Sequence, residues 1–204
     1  MLFSDSYKTI SRSSEGIYKD KGSKFIAIAC PVITEEDVKE RLSEIRNKYH
    51  DARHHCFAYV LGYDKSAFRY NDDGEPSGTA GRPIYGQINS KDLTNTLVVV
   101  VRYFGGVKLG VRGLINAYKA AASDALLQVD IITKTVNEIF SIEFDYLMMN
   151  SVMKIIKDAD LKILSQDFQL DCKLEYIVRK KNADLVKEKF LKINGLKINY
   201  LRTN

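Results

Sequence analysis

The sequence predicts an α+β fold that is divided into two domains, and two observations support this prediction. In the first part of the chain, the apolar β-branched run at 97–101 leads through a glycine-rich loop into a helical pattern that ends near Leu127. In the second part, strand and helix patterns restart after a boundary near 132–136. We therefore predict an N-terminal domain over 1–134 and a C-terminal domain over 135–204.

Composition and charge exclude several classes of protein. The 204 residues are 45% hydrophobic and 28% charged, which is ordinary for a globular chain, and the net charge of +5 indicates nucleic acid only weakly. The three cysteines, Cys30, Cys56 and Cys172, are widely spaced, so we expect no disulfide framework and a reducing compartment. The first ten residues lack a signal pattern, and no apolar run approaches the ~20 residues that cross a bilayer. We expect a cytoplasmic protein without a membrane partner.

Spacing predicts the elements of the first domain. Residues 23–32 form a strand that is apolar on both faces and therefore central in its sheet, and residues 34–49 form a helix. Thr34 is placed to cap this helix, with Asp37 at the capping-box position where Glu or Gln is usual. Residues 53–61 and 67–70 are expected to be strands, while Pro83 favours a short helix after the loop at 71–84.

The second domain shows the order strand, helix, strand, strand, helix, strand. This order is typical of a ferredoxin-like domain. The predicted ranges are 138–144, 146–159, 161–164, 169–178, 182–193 and 196–201.

The glycine-rich loop is the first candidate site, because it lies between a buried strand and a helix. Backbone N–H groups at a helix start lack intrahelical partners, and the helix dipole favours negative charge there. The loop does not match a nucleotide-triphosphate motif, since Val111 and Arg112 stand where Lys and Ser or Thr are required. It could bind a phosphate backbone or another anion, or the glycines could serve only turns and close packing. The candidate anion-binding residues are Gly105, Gly106, Lys108, Gly110 and Arg112.

The acid-rich loop at 71–84 is the second candidate site. Its three carboxylates could bind a divalent metal, but the same residues are strong turn formers and match no EF-hand. A Cys56–His54 pair could supply a nucleophile and its base, although residues two apart on a strand seldom converge. We therefore assign no catalytic residue, metal or cofactor. The residues of this possible functional loop are His54, Asp72, Asp73, Glu75, Ser77 and Thr79.

Three motifs resemble the YigZ/Impact family. They are Ala52-x-His54-x-Cys56-x-Ala58, NDDGEPSGTAGRP at 71–83, and V-x-x-YFGG-x-KLG at 100–110, which Gly113-Leu114 follows. The resemblance implies an N-terminal β-α-β domain similar to a ribosomal-protein fold. It also implies a C-terminal ferredoxin-like domain that resembles a late domain of elongation factor G. Eukaryotic Impact proteins restrain a stress kinase, a role that we do not transfer. Arg112 replaces the small residue of many relatives.

The leading functional hypothesis is a non-enzymatic, translation-associated or regulatory protein that binds RNA or the ribosome. The two translation-factor-like domains implied by the resemblance suggest it, together with the cationic glycine loop. Arg82 could join this surface through the acid loop. Lysine and arginine contacts to phosphates would make such binding salt-dependent.

Two other hypotheses make different structural demands. A small hydrolase or peptidase-like enzyme would need its four candidate side chains to converge within about 4 Å. A protein-interaction module would be supported by aromatics such as Phe57 and Tyr59 exposed in one contiguous patch. The four side chains of the hydrolase hypothesis are His54, Asp72, Asp73 and Glu75.

Overall fold

The computed structural model describes residues 5–168 and 171–203, and it confirms the α+β class. The chain divides into two compact units. The first unit is Tyr7–Lys134. The second begins at Thr135 and also includes described residues 5 and 6.

The first unit is built on a five-stranded antiparallel sheet with strand order β2-β3-β6-β4-β5. A separate two-stranded sheet pairs β1 with β7, a strand that the sequence pattern did not predict because its residues are mostly exposed and polar. The elements are β1 (Ser6–Ile10), β2 (Ser14–Asp20), β3 (Ser23–Pro31), α1 (Glu35–Lys48), β4 (His54–Leu61), β5 (Ala67–Asn71), α2 (Gly81–Ser90), β6 (Thr96–Tyr103), α3 (Gly110–Leu127) and β7 (Ile131–Thr135).

Helices cover both faces of the five-stranded sheet. Cys56 and Ala58 of β4 face the core beneath α2 and α3, whereas Phe57 and Tyr59 face the core beneath α1. The sequence predicts this alternation for the strand, and the structure shows that both of its faces are buried. Phe57 and Tyr59 are each only 7% exposed, so these two residues do not form the exposed aromatic patch that would support the interaction-module hypothesis.

The predicted capping box at the start of α1 is present. The Asp37 amide donates to Thr34 Oγ1 at 3.1 Å, and Asp37 Oδ2 accepts from the Thr34 amide at 2.9 Å. The same oxygen accepts from the Ile33 amide at 2.8 Å. These backbone hydrogen bonds, that from Ile33 first, lower the pKa of Asp37. Aspartate therefore fills the position that glutamate usually takes.

The second unit has the element order that its sequence pattern predicts. Its four strands form an antiparallel sheet with strand order β11-β8-β10-β9. The strand predicted to begin at Gln169 is described from Asp171, because Gln169 lies outside the described residues. The elements are β8 (Asn137–Asp145), a 3₁₀ turn (Tyr146–Met148), α4 (Met149–Asp158), β9 (Lys162–Phe168), β10 (Asp171–Arg179), α5 (Lys180–Leu191) and β11 (Lys197–Thr203).

Across the described parts of both units, the helices are too short or too polar to span a membrane.

Close approach between β2 and α3 predicts that Gly16→Ala is destabilising. A Cβ at Gly16 would lie 2.2 Å from the backbone nitrogen of Ala125, so one of the two elements must shift. Overpacking of this kind typically costs about 1–3 kcal/mol. We expect the free energy of unfolding, measured by urea denaturation, to fall by that amount.

Gly86→Ala is the matched control for this substitution. Gly86 lies within α2, and among the described residues no atom beyond its chain neighbours and its own helix backbone lies within 4 Å of its added Cβ. Alanine should therefore leave the stability unchanged or raise it by up to about 1 kcal/mol through helix propensity. Equal stability of the two variants would show that β2 and α3 are not packed as described.

Candidate functional site

A cavity of about 510 Å³ in the first unit brings residues of both candidate loops together. It lies where the start of β4, the acid loop, the end of β6 and the start of α3 meet. Of the predicted site residues, His54, Glu75, Lys108 and Gly110 line it. The complete lining is Arg53, His54, Glu75, Pro76, Arg102, Phe104, Lys108, Leu109, Gly110, Val111 and Leu114.

A buried ion pair contributes to the lining of this cavity. Arg102 donates from a terminal nitrogen to Glu75 Oε1 at 2.5 Å, and the Tyr118 hydroxyl donates to the same oxygen at 2.8 Å. The side chains of Arg102 and Glu75 are only 8% and 4% exposed. The pair therefore ties the acid loop to β6, and Tyr118 ties both to α3.

Strand register places the arginine of this pair. Arg102 lies opposite Phe25 on β3 and opposite His54 on β4, so the three residues form a row across the sheet. The guanidinium carbon lies 5.5 Å from the ring centroid of Phe25 and 5.5 Å from that of Phe104. Arg102 thus has aromatic contacts as well as its carboxylate partner. Its Nε is buried and, within the described part of the chain, has no hydrogen-bond partner.

Cys56 lies in the core next to this ion pair. Its Sγ is 3.0 Å from the Asp72 carbonyl oxygen and 3.4 Å from the Tyr118 hydroxyl. Burial raises the pKa of the Cys56 thiol to about 12, so the nucleophilic thiolate is not populated at neutral pH. Burial also raises the pKa of Tyr118. Cys56 is therefore a buried core residue with a protonated thiol. This outcome does not support the hypothesis that Cys56 is a nucleophile.

Asp72 is a structural residue of the acid loop. Its carboxylate accepts hydrogen bonds from the amides of Gly78 and Ala80 at 2.9 Å and from the amide of Gly81 at 2.8 Å. Because Gly81 begins α2, the carboxylate supplies the negative charge that the start of this helix favours.

Two other residues of the same loop, Ser77 and Thr79, do not line the cavity. The Thr79 hydroxyl donates to the Pro76 carbonyl oxygen at 2.6 Å.

The structure does not bring the four side chains of the hydrolase hypothesis to one point. Asp73 Oδ2 accepts from the His55 amide at 2.7 Å, and the carboxylates of Asp72 and Asp73 do not line the cavity. His54 Nδ1 lies 2.8 Å from the Asp73 carbonyl oxygen. Because that oxygen can only accept, Nδ1 is the donor, and Nε2 of the neutral ring is an acceptor. The two aspartates instead order the backbone of the loop and of β4.

The glycine loop opens α3 beside the cavity. The Gly105 amide donates to Ser23 Oγ at 3.1 Å, so this end of the loop packs on the turn between β2 and β3. Gly110 has a φ of +71°, a conformation that favours glycine, and it is the first residue of α3. Lys108 is exposed and lines the cavity, whereas the exposed Gly106 and Arg112 lie outside its lining.

The start of α3 lacks the side-chain cap that Thr34 gives α1 and the carboxylate that Asp72 places at the first amide of α2. Its N-cap residue, Leu109, makes no side-chain cap hydrogen bond and its first turn contains no acidic residue, as is also the case for α4 and α5. Arg82, the remaining predicted cation, is exposed at the second position of α2 and does not line the cavity. The uncapped start of α3 and Lys108 therefore form the part of the predicted anion site that borders the cavity.

Arg53, Arg102 and Phe104 are cavity residues that the sequence did not predict. The available signal was Arg102 itself, which follows five apolar residues of a buried strand. A buried arginine requires an acidic or hydrogen-bonding partner, and that requirement points to a carboxylate in a nearby loop. The sequence could not show which carboxylate pairs with Arg102, because Glu75 is 27 residues away along the chain.

The buried pair predicts a large effect of Glu75→Ala. Removing one partner leaves Arg102 as an uncompensated buried charge, which typically costs about 3–5 kcal/mol. Differential scanning calorimetry should show a clear fall in melting temperature. Adding Arg102→Met should restore part of the stability, because the unpaired charge is then removed as well.

Glu36→Ala is the control for this prediction. Glu36 is exposed and forms a surface pair with Lys39, so its removal should change stability by less than about 1 kcal/mol. A Glu75→Ala variant as stable as Glu36→Ala would contradict the buried-pair description.

Comparisons with known proteins agree with the motif resemblance. The family model for the Impact N-terminal domain matches residues 21–126. The IMPACT family member YvyE of Bacillus subtilis is 31% identical, over 90% of this chain and 84% of that protein. The IMPACT family member YigZ of Escherichia coli is 34% identical, over 73% of this chain and 74% of that protein. A crystal structure of a hypothetical protein superposes with a TM-score of 0.73 at 28% identity and covers 97% of this chain and 98% of its own. The chain therefore belongs to the Impact family.

Proposed function

We propose that this protein acts in translation or its regulation by binding RNA or the ribosome, and that the start of α3 is the contact surface. The observation that carries the proposal is the uncapped start of α3 next to a cavity rich in cations. Backbone amides at a helix start bind phosphate groups readily, and nearby lysine and arginine strengthen that binding.

The charges that line the cavity favour an anionic ligand. Glu75 is neutralised by its pair with Arg102, so Arg53 and Lys108 supply positive charge without a lining carboxylate to offset it. Arg112 in the first turn of α3 extends this charge beyond the cavity, and Arg82 is the proposed further contact on α2. A negatively charged backbone that runs past the start of α3 would meet these cations in succession.

The second unit is consistent with the same role. We infer that it is the ferredoxin-like domain that the family resemblance implies, supported by the order β11-β8-β10-β9 of its antiparallel sheet. Binding to RNA or ribosomes would place the protein in the cytoplasm. A protein partner on the ribosome is also part of the proposal.

The test is RNA binding by the Lys108→Ala/Arg112→Ala double variant. Fluorescence anisotropy with single-stranded RNA across a salt series should show weaker binding than for the unsubstituted protein. The slope of log affinity against log salt should become shallower by about 0.7 for each phosphate that the variant no longer neutralises. The melting temperature should stay nearly unchanged, because both side chains are exposed.

Lys119→Ala is the control, because Lys119 is an exposed cation further along α3 and outside the cavity lining. It should retain the affinity and the salt slope of the unsubstituted protein. If the double variant binds RNA as Lys119→Ala does, the start of α3 is not the contact surface. If the unsubstituted protein fails to bind RNA at low salt, the RNA part of the proposal is wrong.

A further inference from the structure

We propose that the cavity beside α3 binds one nucleotide unit, with its phosphate at the start of α3 and its base stacked on Phe104. The inference rests on the proposed RNA-binding function and adds the chemical unit that the site accepts. The ligand is a nucleoside monophosphate, either free or as an unpaired nucleotide of a single strand.

The cavity has the size and the mixed lining that such a ligand requires. Its volume of about 510 Å³ is within the usual range for small-molecule sites. The lining combines the cations Arg53 and Lys108 and the paired Arg102 with apolar residues. A simple inorganic anion would leave the apolar part without a partner. The apolar residues are Pro76, Phe104, Leu109, Val111 and Leu114.

The phosphate position follows from helix capping and from an unused donor. Thr34 caps α1 and Asp72 supplies the negative charge at α2, whereas the N-cap residue of α3, Leu109, makes no side-chain cap hydrogen bond. Arg102 also lines the cavity, is more than nine-tenths buried, and has an Nε with no hydrogen-bond partner among the residues described. Buried polar groups are normally hydrogen-bonded, so the guanidinium of Arg102 keeps an unused donor in a residue that lines the cavity. Lys108 is placed at the edge of the same cavity to complete the charge.

The base position follows from the aromatic contacts of Arg102. Its guanidinium carbon lies 5.5 Å from the ring centroid of Phe25 and 5.5 Å from that of Phe104, so Phe104 is held beside a fixed cation. Phe104 nevertheless remains 59% exposed, so its ring is accessible to a ligand in the cavity. A planar base could be laid on the exposed ring of Phe104, and every base has the flat π surface that such stacking needs.

Glu75 does not oppose a phosphate in this position. Its Oε1 accepts hydrogen bonds from Arg102 and Tyr118, and its side chain is only 4% exposed. The negative charge is therefore neutralised before any ligand arrives. His54 adds no negative charge, since its ring is neutral or cationic.

Phe104→Trp provides a direct probe of this site. The sequence contains no tryptophan, so the variant has a single reporter at the proposed stacking position. We expect adenosine monophosphate to quench its fluorescence with a saturable curve. Phe68→Trp is the control, because Phe68 is an exposed aromatic on β5 outside the cavity, and its fluorescence should show no saturable quenching. Calorimetric titration of the unsubstituted protein checks that binding does not depend on the tryptophan.

Competing ligands and charge variants define the required chemistry. Adenosine and inorganic phosphate should each bind at least roughly tenfold more weakly than adenosine monophosphate, because each makes only part of the contacts. Lys108→Gln in the Phe104→Trp background should weaken nucleotide binding by roughly tenfold, since glutamine cannot supply a charge-assisted hydrogen bond. Lys119→Gln should leave it unchanged. Equal binding of inorganic phosphate and the nucleotide would overturn the inference in favour of an anion site alone.

Oligonucleotides distinguish the source of the nucleotide and separate this inference from the proposed function. Quenching by a single-stranded oligonucleotide but not by a duplex supports an unpaired nucleotide of RNA. Quenching by the free nucleotide alone supports the site and counts against RNA as its source. If neither quenching nor calorimetric heat is seen at millimolar nucleotide, the inference is wrong. Salt-dependent RNA binding in the anisotropy assay would then leave the proposed function standing, and its absence would remove both.

Discussion

The buried pair of Glu75 and Arg102 is the interaction on which the candidate site depends. Arg102 lies near the end of the central strand of the five-stranded sheet, Glu75 belongs to the acid loop, and Tyr118 reaches the same carboxylate from α3. Three segments that are distant in sequence are therefore held at one buried oxygen atom. Because an unpaired buried charge is so costly, the pair holds the acid loop in place and the cavity acquires a defined wall.

The acid loop uses its carboxylates for folding. Asp72 orders the turn and the start of α2, Asp73 orders the backbone at His55, and Glu75 neutralises Arg102. A dense group of acids in the sequence thus becomes three separate structural contacts. Their charge is satisfied within the unit, and the surface that faces the cavity is dominated by cations and apolar side chains. This arrangement suits the binding of an anion better than acid–base catalysis.

Membership of the Impact family and the geometry of the cavity are independent lines of support for the proposed function. The family match covers residues 21–126, which include the acid loop, the ion pair and the glycine loop. The structure adds that Arg53 and Lys108 line one cavity at the uncapped start of α3. Together they point to one end of α3, where a phosphate and a base would find complementary partners within one cavity.

The sequence by itself determined the α+β class, most of the elements, the capping box at Thr34 and the family, because these depend on residue spacing along a short stretch. It did not determine β7, which lacks an apolar pattern, or the burial of Phe57 and Tyr59, which depends on α1 covering that face. Only the tertiary structure placed Arg102 opposite Phe25 and beside Glu75. Local periodicity shows which face of an element is apolar, whereas pairing across a sheet depends on strand register and loop path. Those are fixed when the whole unit packs.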